Sequence, residues 1–470
     1  MNREGGGRPP ESGTNKSMAS ASDALASNIS LSKFAQATEL KKRLWFTLGA
    51  LIIFRMLSYV PLPGVDPTQL DLLSQQTQGG VLDFFNNFTG GALSRMSIVA
   101  LGVMPYITAS IVVQLATSLS PQLNAIKKEG ESGRKRLNQY TRYGTVALTA
   151  IQGWFIAVGL ESFGATQGLQ AVIEPGLLFR VGAVISLIGG TLFLMWIGEQ
   201  ITSRGIGNGI SLIIMAGIVA RLPQTMVQLF ESGRTGTIDP LRLIMIIAGV
   251  AALVLFICFM ERAQRRILIQ YPKRQTARGV QAERSHLPLK LNTAGVIPPI
   301  FASSLLLLPL TISQFAGQAT AGESAWGDLI INLNTYLRHG SPLYMTLYGA
   351  GIIFFSFFYT AVVFNPEETA ENLKKYGGFI PGIRPGKNTE TYFDYVLTRI
   401  TVIGAAYLTL ICLLPEYLIA SMGVTFLMGG TSLLIVVNVT MDTVTQIQSH
   451  LLAHQYGDLI KKAKLKGRTR

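Results

Sequence analysis

Long stretches with almost no polar side chain alternate along this chain with short, strongly polar ones. A run of about 20 apolar residues is enough to cross the hydrocarbon core of a bilayer as a helix. Ten such runs can be drawn: 44–61, 97–120, 143–162, 179–200, 209–229, 241–260, 293–314, 342–364, 397–418 and 426–447. Several carry Pro or Gly, as in "VMPYI" and "VIPPI", which membrane helices tolerate where neighbouring groups re-satisfy the backbone. Residues 32–43 have the pattern of a short interfacial helix leading into the first run. One segment fits neither class. "GGVLDFFNNFTGGALSRM" (79–96) is too apolar over residues 81–88 for a solvated loop, yet Asp83, Asn86, Asn87, Gly90 and Gly91 leave it too short and polar to span. The pattern predicts an all-α integral membrane protein with ten transmembrane helices and one short extra helix.

Composition agrees. Charged residues make up 14% of the chain and hydrophobic ones 49%, with a mean hydropathy of +0.36, against about 25% charge in soluble domains. The net charge of +14 points toward nucleic acid only until the cations are placed. With the N-terminus inside, the alternate segments 1–43, 121–142, 201–208, 261–290, 365–396 and 448–470 hold 32 of the 40 lysines and arginines. Such asymmetry is an orientation signal. It predicts that both termini are cytoplasmic, and the nucleic-acid alternative loses most of its support.

Residues 1–31, rich in Gly, Ser, Ala, Asn and Pro, carry no apolar signal-peptide core and read as a disordered tail. Ten spans divide into five and five: an N-terminal half over 32–230, a polar hinge "ESGRTGTIDP" at 231–240, a C-terminal half over 241–450, and a basic tail at 451–470. Halves starting on opposite sides would be inverted, as in several transporter folds. No strong internal repeat stands out, so that inversion rests on span count alone.

Two predicted cytoplasmic loops exceed what a turn requires. Residues 261–290 carry eight basic side chains, and "RRILIQYPKRQ" within them alternates like a hairpin strand. Residues 365–396 combine a helical pattern with the turn-rich "PGIRPGKNT". Ordinary positive-inside loops and a docking surface for a large partner both fit. "GIRPGKNT" is not a phosphate loop, because Gly382 and Gly386 are one residue too close and Asn388 replaces the Ser or Thr. Cys258 and Cys412 lie in separate apolar runs, and the four histidines fall outside the runs, so no disulfide, metal or cofactor is expected.

Ionisable residues inside spans mark function by default, and here they are few: Arg55, Arg221, and Glu199, Glu261, Glu416 and Asp442 near span ends. Arg55 is expected to satisfy carbonyls or to hold the two halves together. No catalytic constellation and no proton relay is visible, so the chain is not expected to be an enzyme. Ten spans suit a small-solute transporter, but a transporter needs convergent polar groups at its midplane. These spans offer Ile and Val beside small residues instead, which is also ordinary helix packing.

The stretches "GGALSRMSIVALGVMPYITASI", "FLMWIGEQITSRGIGNGISLII", "HLPLKLNTAGVIPPIFASS", "NPEETAENLKKYGGFIPGIRPG" and "GGTSLLIVVNV" resemble the SecY family, the central subunit of the bacterial protein-conducting channel. The likeness runs from about residue 40 to 466. It implies two pseudo-symmetric five-helix halves around an hourglass pore, in a passive conduit for unfolded secretory polypeptides that also releases hydrophobic segments sideways into lipid. The family's aliphatic pore ring falls on Val103, Ile107, Ile210, Ile214, Ile300 and Ile435. Val103 replaces the commoner Ile, and the doubled Pro298 and Pro299 is a second departure. The lateral gate falls on Thr108, Gln152 and Asn292. Residues 80–92 become a re-entrant plug: Val81 leads in, Phe84, Phe85 and Phe88 face the ring, Asp83, Asn86 and Asn87 keep it wettable, and Gly90 and Gly91 form its hinge. Lys273, Arg278 and Arg384 map to the surface that docks the motor ATPase SecA or the ribosome. SecE- and SecG-like small membrane subunits, signal-sequence-bearing polypeptides, membrane lipid and a bacterial inner-membrane location are implied too, with no small-molecule substrate.

Overall fold

The computed structural model describes residues 38–66, 69, 86, 88–167, 172–236, 238–271, 274–276, 279–281, 284–306, 341–422 and 429–466. The helices there are α1 (Thr38–Leu57), α2 (Met104–Leu119), α3 (Pro121–Lys128), α4 (Glu131–Gln167), α5 (Leu177–Arg204), α6 (Gly209–Arg234), α7 (Pro240–Arg262), α8 (Ile297–Leu306), α9 (Pro342–Val363), α10 (Pro366–Lys375), α11 (Lys387–Met422) and α12 (Gly430–Lys466). Four short strands stand between α7 and α8: β1 (Gln264–Gln270), β2 (Arg274–Thr276), β3 (Gly279–Gln281) and β4 (Arg284–Lys290).

Six helical stretches, in α4, α5, α6, α7, α9 and α11, are long and apolar enough to cross a membrane. The chain is a multi-pass membrane protein. Helices α2 and α8 are apolar but shorter, and α1 and α12 hold the first and last predicted spans within more polar helices. Large apolar side chains face outward around the helices, among them Ile52, Leu178, Ile185, Leu255 and Phe259. Within α7 only Ile257 and Glu261 are buried. Water would not tolerate such exposure at this scale, and lipid satisfies it.

Predicted boundaries shift where backbone geometry overrides hydropathy. Of residues 97–103, drawn as the start of the second span, Ser97 bridges to Pro61 and 98–103 are consecutive turns, so the helix begins only at Met104. The third span belongs to a helix that starts at Glu131, so much of the predicted loop 121–142 is helical. The hinge at 231–240 begins as the last turn of α6, and Ile238 packs with Leu229 against Leu243 and Ile246 to close it.

Antiparallel α4 and α5 are pinned at both ends. Arg142 donates to both carboxylate oxygens of Glu199 (2.8 and 2.6 Å) at one end, and Arg180 donates to Glu161 Oε2 (2.9 and 2.6 Å) at the other. One main apolar core then collects buried side chains from α1, α2, α4 to α9, α11 and α12. A second, separate core joins the two long predicted loops into one polar lobe. Ile267 of β1 and Leu289 of β4 pack there with Ala370, Ile380, Phe393, Val396, Leu397 and Ile400. β1 pairs antiparallel with β4 from Gln264↔Lys290 to Gln270↔Arg284, and Gln270 exchanges backbone hydrogen bonds with Phe379 (both 2.9 Å). The alternation noted in "RRILIQ" is therefore a true strand period: Ile267 and Ile269 point inward.

Candidate functional site

Helices α2 and α8 begin on the same nine-residue pattern, "GVMPYITAS" at 102–110 and "GVIPPIFAS" at 295–303, identical at six positions. In both, the glycine is left-handed, with φ +57° at Gly102 and +64° at Gly295. Glycine takes that conformation without the cost borne by other residues. The shared proline then lies in the first helical turn, where its missing N–H has no intrahelical partner to lose. Pro299 is in that first turn as well, so the doubled proline leaves α8 unkinked. Ile107 and Ile300 follow at the same offset, 7% and 8% exposed, and both enter the main core. This repeat is the signal that span counting overlooked.

The other residues assigned to the ring converge on the same cluster. Val103, Ile214 and Ile435 are buried in it, and Ile210 is half-buried against it. Ile210 sits at the start of α6, where the Asn208 side chain accepts from the N–H groups of Ile210 (3.1 Å) and Ser211 (3.4 Å). Val103 and Ile107 at the start of α2 and Ile214 of α6 thus belong to one apolar cluster with Ile300 of α8 and Ile435 of α12.

Phe88 is buried in that cluster too. Its segment lies hard against α6 at Gly217, where an added Cβ would strike the Phe88 carbonyl. Gly90 and Gly91 are both left-handed (φ +66° and +85°). Two guanidiniums converge on this glycine pair. Arg55 Nη1 donates to the Gly90 carbonyl at 2.7 Å, and Arg95 Nη2 donates to it at 3.2 Å. Both stack on Tyr59, with Cζ 5.2 and 4.1 Å from the ring centroid. Arg55 does satisfy a carbonyl, that of Gly90. Asn86 departs from its expected wettable role: it is buried, and its side chain accepts from the Ser94 N–H (3.0 Å). Val81, Asp83, Phe84, Phe85 and Asn87 lie outside the described residues.

The three residues assigned to the gate are buried, but their hydrogen bonds run elsewhere. Thr108 donates to the Met104 carbonyl within its own helix (3.1 Å), and Gln152 Oε1 has no partner among the described residues. Asn292 donates to Glu261 Oε1 (2.7 Å) and to the Gly295 carbonyl (3.1 Å), and accepts from the Gly295 N–H (3.0 Å). Both N–H groups of its amide are therefore committed. Glu261 is the partner that sequence alone did not supply, although its place at a span end had marked it as unusual.

In the polar lobe Arg384 is exposed on a turn between left-handed Gly382 and Gly386, and its carbonyl accepts from the Thr389 hydroxyl (3.1 Å). Lys273 and Arg278 lie outside the described residues.

An apolar cluster shared by matched helix starts, apolar helices around it and an ordered polar lobe beside it fit a helical membrane channel. Known proteins agree. A sequence model of the SecY family matches residues 97–444. The protein translocase subunit SecY of Escherichia coli K12 is 54% identical over 430 residues, covering 91% of this chain and 96% of that protein. Solved structures share the fold. A study of the SecY plug domain, which stabilises that channel's closed state and maintains a membrane seal, superposes with a TM-score of 0.60 at 18% identity, over 87% of this chain and 92% of that one. Sec61 in a canine ribosome-channel complex gives 0.56 at 16% identity, also over 87% and 92%. The chain belongs to the SecY family of protein translocase subunits.

Proposed function

We propose that this chain is the passive protein-conducting conduit of a bacterial inner membrane, with ten spans, two inverted five-helix halves and both termini cytoplasmic. Val103, Ile107, Ile210, Ile214, Ile300 and Ile435 form its closing ring. An extended polypeptide cannot leave its amides unsatisfied in lipid, so it needs a watery path that seals when idle. Branched aliphatic side chains make a neck that wets poorly, and they recognise no particular sequence. Residues 80–92 act as the plug, and Phe88 meets the ring. Thr108, Gln152 and Asn292 line the route by which an apolar signal segment reaches lipid. The polar lobe, with Lys273, Arg278 and Arg384, receives the motor ATPase SecA or the ribosome, and small SecE- and SecG-like subunits complete the complex. The observation that carries this is that Ile107 and Ile300, reached by one repeated motif, belong to the same apolar cluster as Phe88.

Reconstitution tests it. Purified chain with its small subunits in liposomes should translocate an unfolded secretory precursor only when SecA and ATP are added. Uptake of small solutes with no such translocation would overturn the proposal.

A further inference from the structure

The β1–β4 hairpin of the polar lobe joins α7 and α8 through a narrow neck. β1 starts three residues after Glu261, the last buried side chain of α7, and β4 ends two residues before Asn292. The ladder closes at that point, where the Leu291 N–H donates to the Ala263 carbonyl (2.9 Å). Immediately inside it, Asn292 donates to Glu261 Oε1 at 2.7 Å, and the Tyr407 hydroxyl of α11 reaches the same oxygen at 3.5 Å. Glu261 and Asn292 are 7% and 4% exposed. The clasp lies a few residues ahead of α8. Asn292 holds the left-handed Gly295 from both sides of its peptide, Gly295 leads directly into α8, and Ile300 is one turn further. Gly404 of α11 approaches the Leu291 carbonyl so closely that a Cβ would crowd it, which keeps the neck from sliding.

The corresponding position in the first copy of the motif is Val99, which offers only its backbone carbonyl, to the Gly102 N–H (2.9 Å). Among the described residues that copy has no clasp between two side chains, and a single Pro61–Ser97 bridge stands ahead of it in place of a strand ladder. The polar clasp is therefore specific to the copy that continues into the lobe.

We infer that Glu261 is a positioning residue: through Asn292 it transmits movement of the β1–β4 hairpin to α8, so that a motor seated on the lobe loosens the Ile107–Ile300 closure. A buried, charge-assisted hydrogen bond is short and directional, so a tilt of the hairpin moves Gly295 with it. The inference rests on the proposed docking role of the lobe.

The test uses the chain with its small subunits in proteoliposomes, comparing wild type, Glu261→Leu, Glu261→Gln, and the double variant Glu261→Gln with Asn292→Asp. Motor affinity for the vesicles and motor-driven precursor transport are measured separately. Glu261→Leu should leave motor affinity unchanged while transport per bound motor falls about tenfold, a typical coupling between sites. Glu261→Gln keeps an acceptor for Asn292 and should transport nearly as wild type. The double variant exchanges donor and acceptor between residues 261 and 292 but gives up the amide donor to the Gly295 carbonyl, so it should transport no better than Glu261→Gln. Normal transport by Glu261→Leu, or equal loss in Glu261→Leu and Glu261→Gln, would overturn the clasp. So would loss of motor affinity in step with transport. If wild type itself fails to transport with motor and ATP, the proposed function falls first.

Discussion

The two copies of the G-V-x-P-x-I motif do the same geometric work in different surroundings. Ahead of α2, the segment from Val99 to Leu101 is wholly apolar and 4% exposed or less, and the glycine turn closes on the Val99 carbonyl, with the Val99 N–H donating to the Ser97 hydroxyl (3.3 Å). Ahead of α8, the equivalent turn is held by an asparagine amide that is itself held by a buried glutamate. What the copies share is what a helix start aimed at the closure requires: a left-handed residue, a proline in the first turn and a branched side chain one turn on. What they do not share belongs to their neighbours. One turn is packed against Thr89, next to the left-handed Gly90 and Gly91, and the other hangs from the β1–β4 hairpin.

Three changes probe how far that equivalence goes. The largest effect is expected from Ile107→Asn and Ile300→Asn. Burial of each side chain is worth about 1.5–3 kcal/mol, so either change should lower the closed population by about tenfold or more. Resting ion conductance in planar bilayers reads this directly. Comparable leaks from the two variants support equivalent roles, and a leak from only one breaks the comparison. Next come Gly102→Ala and Gly295→Ala, each carrying about 1–2 kcal/mol of left-handed strain. A Cβ at Gly102 would meet Thr89 Cγ2 at 3.2 Å, whereas at Gly295 it would meet only Asn438 Nδ2 at 3.7 Å. Thermal unfolding in detergent should therefore show the larger loss at Gly102. The smallest effect is expected from Pro299→Ala, which alters no hydrogen bond in the first turn. It should lower stability by about 0.4–1 kcal/mol, through a more flexible unfolded chain, and leave conductance unchanged.

Much of this architecture was legible before any fold was known. Helices α5, α6, α7 and α9 begin and end within a few residues of their apolar runs, and β1 follows the alternation of its Arg, Ile and Leu side chains. The second span was drawn too long because Ile98, Val99, Ala100 and Leu101 are as apolar as any helix, while Gly102 and Pro105 set the backbone. Hydropathy is blind to φ. Asn86 was read as wettable because it lies beside Asn87 and follows Phe84 and Phe85, yet its amide oxygen turns inward to hold a turn several residues ahead.

Order along the chain determined which solvent this protein lives in, where its helices run and where its strands alternate, because each is a sum over nearby side chains. Packing decided the rest. Only tertiary structure could bring Ile107 to Ile300 in one dry cluster, set two arginines on one carbonyl at Gly90, or hang Asn292 from Glu261. Those contacts join residues far apart in the chain, and their energies depend on burial and on angles of approach that no local pattern encodes.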